Sequence, residues 1–384
     1  MTAVRRVAIV TGSRAEFGLL RPVIHAVRNH KALRLQVVAA GAHFLPPART
    51  ITEVEAEFTV AARVPMQRQA KTGRNADAAA TGAGVAGFAR AFARLKPDWV
   101  VVLGDRIEAF AAASAASIGG IAVCHIHGGD RAEGIADEAM RHAITKLSHL
   151  HCAATKASAE RIVRMGEDPR RVVATGSPAI DGLSAIKAMG DEEAAAVGDP
   201  RTVVLYHPSG LEPEQERRVA DALAGAVLGT CSSPVLVLEP NHDARRKIVL
   251  DALEPVVRAW PLIAHFPRPR FLALLKRLSK ADPPGVLVGN SSAGLIEAAA
   301  LGLAVVNVGP RQGGRERPGN VIDVPLAKSR MGDRISDALT EALQRGAKGK
   351  AHPYGDGRAG PRIAGLLFKV DPRDPSVLRK RNSY

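Results

Sequence analysis

Asp98–Asp130 reads DWVVVLGDRIEAFAAASAASIGGIAVCHIHGGD. Trp99–Leu103 is apolar throughout, without alternation, which is the pattern of a strand buried on both faces. The Ala-rich stretch Glu108–Ile118 predicts a helix, and Gly119-Gly120 ends it. Ile121–Ile126 returns to a short apolar run and predicts a second strand. A strand, a helix and a strand joined by loops of a few residues form a βαβ unit, and such units build parallel sheets.

The alternation continues in both directions. Val7–Val10 predicts a first strand ending at Thr11-Gly12-Ser13, and Phe17, Leu20, Ile24 and Val27 follow at helical spacing. Leu35–Ala40 is a second strand. Beyond Asp130 the pattern predicts a helix at about Asp137–Leu147, a strand at Leu150–Ala154, a helix at Ser158–Met165 and a strand at Arg171–Ala174. Ala185–Pro200 is polar and rich in Ala and Gly, and reads as a linker. A second series then begins: strands at Val203–Tyr206, Val235–Leu238, Val286–Val288 and Ala304–Val308, with helices at Glu214–Leu228, Phe271–Leu278 and Ser292–Leu301. The expected fold is α/β, with two Rossmann-like doubly wound domains: residues 1–184, a linker at 185–200, and residues 201–370. The polar tail 371–384 is expected to be partly disordered.

A chain of 384 residues is long enough for two domains, and 46% hydrophobic residues suffice for two cores. Aromatics make up only 4%, so those cores are aliphatic. Lys and Arg number 53 against 38 Asp and Glu, a formal charge of +15, which favours anionic partners. No basic run interleaves with aromatics, so nucleic acid is not expected as the ligand. Cys124, Cys152 and Cys231 lack CxxC spacing and read as reduced thiols of a cytoplasmic protein. The start, MTAVRRVAIVTGSRAEF, predicts a strand rather than a signal peptide. No apolar stretch approaches the roughly 20 residues that span a bilayer, so no membrane partner is expected.

Doubly wound folds bind ligands at the carboxyl ends of their strands. Five polar sets fall there: Gly12-Ser13-Arg14, Gly104-Asp105-Arg106, His125–Asp130, His207-Pro208 and Gly289-Asn290-Ser291-Ser292. Small residues in the last set would let a diphosphate approach the free N–H groups of the helix Ser292–Leu301; a plain cap by Asn290 or Ser291 explains the same letters. Arg14, Arg311, Arg315 and Arg317 could neutralise phosphate. Asp105 could act as acid or base, or merely cap a helix. His125 and His127 would share one side of a strand, but no third ligand stands at a fixed spacing, so no metal is expected. Asp137 and Glu138 suit a helix start, and Arg141 lies four residues on, where an ordinary ion pair with Asp137 would form.

Taken in order, these segments resemble the UDP-N-acetylglucosamine 2-epimerase family, and most of all its hydrolysing, sialic-acid-pathway branch. The matching pieces are GSRAEFGLLRPVI at Gly12–Ile24, GDRIEA at Gly104–Ala109, HIHGGD…DEAMRHAITKLSHLH at His125–His151, MGEDPRRV…TGSPAID at Met165–Asp181, YHP at Tyr206–Pro208, GNSSAGLIEA at Gly289–Ala298 and RQGGRERPGNVI at Arg311–Ile322. The resemblance implies a GT-B-like fold with a nucleotide sugar in the interdomain cleft and no cofactor. It implies elimination of UDP to a glycal, then addition of water to release a free manno-configured 2-acetamido sugar for nonulosonic acid synthesis. Asp105, His127, Asp137, Glu138 and His207 become the catalytic candidates. Arg14, Arg106, Arg141, Asn290, Ser291, Ser292, Glu297, Arg311 and Arg315 become the substrate-binding ones, with Glu297 on the ribose. A homo-oligomer, dimer or tetramer, is expected. Two departures inform the reading. Members commonly place an acidic residue where this chain has His127, whereas an HIHGGE form resembles the branch acting on UDP-2,4-diacetamido-2,4,6-trideoxyglucose in legionaminic-acid-type pathways. Leu19 stands where the non-hydrolysing branch has lysine. The alternatives are a non-hydrolysing epimerase and an inactive UDP-sugar binding protein.

Overall fold

The computed structural model describes residues 4–383 apart from 47–48, 68–72, 132–137, 241–244, 265 and 347–351. It divides into two compact units. The first carries strands β1 (Arg5–Thr11), β2 (Leu33–Ala40), β3 (Val60–Val64), β4 (Trp99–Leu103), β5 (Ala122–Ile126), β6 (Leu150–Ala153) and β7 (Val172–Ala174). They form one sheet in the order β3-β2-β1-β4-β5-β6-β7, parallel throughout. The second carries β8 (Thr202–Leu205), β9 (Val235–Leu238), β10 (Leu262–Ile263), β11 (Val286–Gly289), β12 (Ala304–Val308) and β13 (Val321–Val324), in the order β10-β9-β8-β11-β12-β13, again all parallel.

The apolar runs without alternation are explained by the packing. In β1, Val7 and Ile9 face one core with the helices Arg14–Asn29 and Ala359–Lys369. Ala8 and Val10 face another, with the helices Arg74–Leu95 and Ile107–Ile118. Trp99–Leu103 is buried at every position, shared between the same two cores. Burial on both faces removes the period-2 signal and leaves a continuous hydrophobic strand.

Strand order reverses between β1 and β4 in the first unit and between β8 and β11 in the second. At such switch points the loops diverge and open a crevice at the carboxyl ends of the strands. In the second unit the backbones approach closely there. Gly289 has φ +146°, and a Cβ on it would lie 2.0 Å from the Leu205 carbonyl oxygen, so only glycine fits.

The expected boundaries need correction. The proposed linker at 185–200 is part of the second unit, which runs over Gly182–Pro353. It holds the short helix Asp191–Ala195, with Met189, Ala194 and Val197 buried. The expected domain 201–370 extends too far, because Tyr354–Tyr384 belongs to the first unit. Ile363, Ala364 and Leu367 of the helix Ala359–Lys369 enter the core beside Arg14–Asn29, and Gly360 N–H donates to Asp181 at 2.6 Å. An apolar helical stripe does not say which sheet it covers, so the return was invisible in the pattern.

The tail packs onto the first unit. Val377 is buried, and Lys380 Nζ donates to the carbonyls of Thr145, Lys146 and Ser148 at 3.0, 2.7 and 2.8 Å. Thr145 and Lys146 lie in the last turn of the helix Glu138–Leu147, whose final carbonyls have no intrahelical partner, and Ser148 follows it. The Lys380 ammonium also pairs with Glu167 at 2.6 Å.

Candidate active site

In the first unit, Asp105 follows β4 directly beside the switch point. Arg141, on the helix Glu138–Leu147, donates from Nη2 to Asp105 Oδ2. The same guanidinium donates from Nη1 to the His127 carbonyl at 3.3 Å. Arg141 is buried, with 3% exposure, while the Asp105 side chain keeps 20%. Asp105 and a strand-end carbonyl are thus among its partners. Asp137 lies outside the described residues. Glu138 opens the helix and sits 3.6 Å from His142 Nε2, one turn on. Arg106 donates to both oxygens of Glu108, at 3.2 and 3.4 Å. Arg14 begins the helix Arg14–Asn29, half-buried.

His127 is not paired with His125 on a strand face. The strand ends at Ile126, and His127 turns away with φ +63°. The rings then find different partners. His125 sits with Nε2 2.8 Å from the Gly104 carbonyl and Nδ1 3.2 Å from Thr145 Oγ1. His127 has Nδ1 2.9 Å from Asp130 Oδ2 and Nε2 2.9 Å from Ser177 Oγ. Burial drives the His125 pKa down to about 3, so that ring is neutral. Among the described residues, no three His, Cys, Asp or Glu side chains cluster to hold a metal ion.

In the second unit, His207 and Asn290 follow the two strands that flank the switch point. Asn290 accepts the His207 N–H at 2.7 Å and returns its amide to the His207 carbonyl at 2.8 Å. Its Nδ2 also reaches Ser209 Oγ at 3.0 Å. The Asn290 carbonyl accepts from Gln312 Nε2 at 2.9 Å and from Arg311 Nη1 at 3.4 Å. Burial, with Arg311 adding to it, drives the His207 pKa down to about 3, so its imidazole is neutral beside a fixed cation. Arg315 is half-buried in the same loop. Arg317 is committed elsewhere, to Asp323 at 2.7 Å and the Gln312 carbonyl at 2.8 Å.

The predicted helix Ser292–Leu301 is broken. Ser292–Leu295 and Glu297–Leu301 are separate turns, with Ile296 between them at φ −105°, ψ −70°. Ser291 caps the first turn through Ala293 N–H at 3.4 Å. One turn carries little aligned dipole, so an anion there would rely on free N–H groups and neighbouring arginines. The break leaves Glu297 buried against Arg268, whose Nη1 donates to Oε1 at 2.7 Å.

Pattern reading passed over three groups. Glu16, four residues past Gly12, is buried and accepts the Gly12 N–H at 2.6 Å. Burial and the neighbouring Glu108 push its pKa up to about 8. Glu216 accepts the Ser209 N–H at 2.9 Å and supports the loop after β8. Ser177 and Asp130 hold the His127 ring. Position after a strand flagged Asp130 but gave it no role; Glu16 lay within the matching piece GSRAEFGLLRPVI without being singled out, and Glu216 carried no sequence signal.

The family profile described as UDP-N-acetylglucosamine 2-epimerase matches residues 25–368. A hydrolysing UDP-N,N'-diacetylbacillosamine 2-epimerase from Legionella pneumophila is 36% identical over 99% of this chain and 100% of its own length. A hydrolysing GDP/UDP-N,N'-diacetylbacillosamine 2-epimerase from Campylobacter jejuni is 30% identical over 83% of this chain and 84% of its own length. Among solved structures, the UDP-GlcNAc 2-epimerase from Neisseria meningitidis bound to UDP-GlcNAc superposes with TM-score 0.77 over 95% of this chain and 100% of that one, at 20% identity. The chain therefore belongs to the UDP-N-acetylglucosamine 2-epimerase family. Its fold is GT-B-like, made of two Rossmann-like units.

Proposed function

We propose that this protein is a hydrolysing UDP-sugar 2-epimerase. The observation that carries the reading is Asp105, held by Arg141 beside a switch point at the end of β4. Elimination requires a base that takes the C2 proton while the C1–O bond breaks and its electron pair leaves on UDP. Water then adds across the glycal, hydroxyl to C1 and a proton to C2 on the face opposite the one that lost it. In this reading Asp105 is the C2 base, its Oδ2 oriented by Arg141. Asp137 and Glu138 deliver water and the second proton. Arg14, His207, Arg311 and Arg315 hold the diphosphate with Ser291 and Ser292, Arg106 aids its departure, and Glu297 binds ribose hydroxyls.

The preferred sugar is UDP-2,4-diacetamido-2,4,6-trideoxyglucose, with UDP-GlcNAc the second candidate. His127 and the two hydrolysing relatives named for diacetylbacillosamine support that preference. The free product would feed nonulosonic acid synthesis in the cytoplasm. Three unbridged thiols fit that compartment; Cys124 and Cys152 lie with their sulfurs 3.6 Å apart.

The test offers both UDP-sugars to the protein in ¹⁸O-labelled water and follows UDP release and product mass. Free sugar labelled at C1 is expected. A UDP-manno sugar as product would mean a non-hydrolysing epimerase. Tight binding without UDP release from either would mean an inactive binding protein.

A further inference from the structure

His127 adopts φ +63°, a conformation that costs a non-glycine residue roughly 1–2 kcal/mol and persists only where surroundings enforce it. The surroundings here are specific. The ring is 5% exposed, with Asp130 Oδ2 2.9 Å from Nδ1 and Ser177 Oγ 2.9 Å from Nε2. A carboxylate can only accept, so Nδ1 carries a proton. Asp130 is fixed in turn: its Oδ1 accepts from Ser158 Oγ at 2.9 Å, and Ser158 N–H donates to Thr155 Oγ1 at 3.0 Å. Ser177 Oγ accepts the Ala179 N–H at 3.2 Å. The loop between is pressed onto the helix Lys156–Arg164. Gly129 has φ +72°, a Cβ there would meet the Ser158 carbonyl oxygen at 2.2 Å, and Arg161 donates to the Gly129 carbonyl at 2.7 Å.

Hydroxyl, imidazole and carboxylate thus stand in the order of a nucleophilic triad, but Ser177 is fully buried and offers no substrate access. Both ring nitrogens are engaged, so the ring is not presented as a base. What the clamp does fix is the His127 carbonyl. That oxygen accepts from Arg141, the same guanidinium that holds Asp105.

We propose that Asp130 and Ser177 are positioning residues for the Asp105 site: they clamp the His127 ring so that its carbonyl seats Arg141 against Asp105. The chain of contact runs Asp130 and Ser177, His127 ring, His127 carbonyl, Arg141, Asp105. Catalytic geometry is sensitive at this scale, since a displacement of about 1 Å can cost about 100-fold in rate. The proposal rests on the reading of Asp105 as the reacting carboxylate.

The test compares Asp130→Ala, Asp130→Asn and Ser177→Ala with the wild type, for kcat and KM toward the two UDP-sugars and for melting temperature. Asp130→Ala and Ser177→Ala should lose about 100-fold in kcat with KM within about twofold. Asp130→Asn keeps an acceptor of the same shape and should recover most of the loss. An activity-independent readout is the ¹⁵N resonance of the Arg141 guanidinium, slowed in exchange by its partners. It should revert toward solvent-exposed behaviour in Asp130→Ala and Ser177→Ala. Folded variants with wild-type kcat, an Asn variant no better than Ala, or an Arg141 resonance unmoved in both Ala variants would each overturn the proposal. A wild type that shows the clamped Arg141 signal yet releases no UDP would instead defeat the functional reading alone. Should Asp130→Ala fail to fold, Ser177→Ala, a smaller deletion, decides the matter.

Discussion

Asn290 clamps His207 by its main chain: one amide accepts the His207 N–H and donates to the His207 carbonyl, at 2.7 and 2.8 Å. The two residues stand 83 positions apart, just after the two strands that flank the switch point of the second sheet. The clamp fixes the loop after β8, and Gln312 and Arg311 dock on the Asn290 carbonyl. Asn290→Ala would remove two buried hydrogen bonds from the His207 backbone, at a cost of about 1–3 kcal/mol. Asn290→Asp keeps the acceptor but loses the donor and sets a carboxylate beside a carbonyl. Both variants should unfold earlier in urea, and Asp should also bind UDP about tenfold more weakly by calorimetry because it adds negative charge near the diphosphate. Wild-type affinity in the Asp variant would separate His207 from the nucleotide.

Asp105→Asn preserves shape and the Arg141 contact on one side while removing the basic oxygen. Turnover should fall about 100- to 10,000-fold, with substrate KM close to wild type. Arg141→Met should lower kcat as well and additionally destabilise the fold, because it strips a buried partner from both Asp105 and the His127 carbonyl. Single-turnover release of UDP checks both. A raised KM with unchanged kcat in Asp105→Asn would assign the carboxylate to binding instead.

The strand framework was legible because β1, β4, β5, β11 and β12 are buried on both faces and announce themselves as continuous apolar runs. What escaped was of another kind. β3, Val60–Val64, lies at a sheet edge and carries the exposed Arg63, so it lacks that signature. The helix Ala359–Lys369 was missed together with the sheet it covers. Asp105, His207 and Asn290 could be picked out because they follow predicted strands and topology alone brings them to a binding edge. The clamp on His127 could not, since Ser177 lies 50 residues away. Nor could Glu16 and Glu108, whose proximity depends on how the ends of β1 and β4 meet.

Lys380 offers a test of the tail. Its ammonium donates to carbonyls in and just after the last turn of the helix Glu138–Leu147, and that helix carries Glu138 and Arg141. Lys380→Met should cost about 1–3 kcal/mol. It should also raise amide hydrogen exchange locally, at the last turn of the helix and around Glu167. Lys380→Arg should recover part of the stability. Unchanged exchange in that turn would show that the tail merely lies on the surface.

The pH dependence of stability has two opposed components. His43, His125, His149 and His207 have pKa values lowered by burial to about 4, 3, 4 and 3. For each, the unfolded chain binds more protons between that value and about 6.5, so their stabilisation is present above pH 6.5 and is lost as pH falls. Glu16 runs the other way. Its pKa is raised to about 8, so its contribution is present below about pH 4.5 and is lost as pH rises through 8. Glu16→Gln mimics the protonated form and removes only that second component. Relative to wild type, the variant should gain stability with rising pH across the window 4.5 to 8, by up to about 1.4 kcal/mol per unit. Both proteins should still lose stability together below pH 6.5. Urea midpoints measured from pH 4 to 9 provide the check, and parallel curves throughout would mean that Glu16 is ionised in the folded protein.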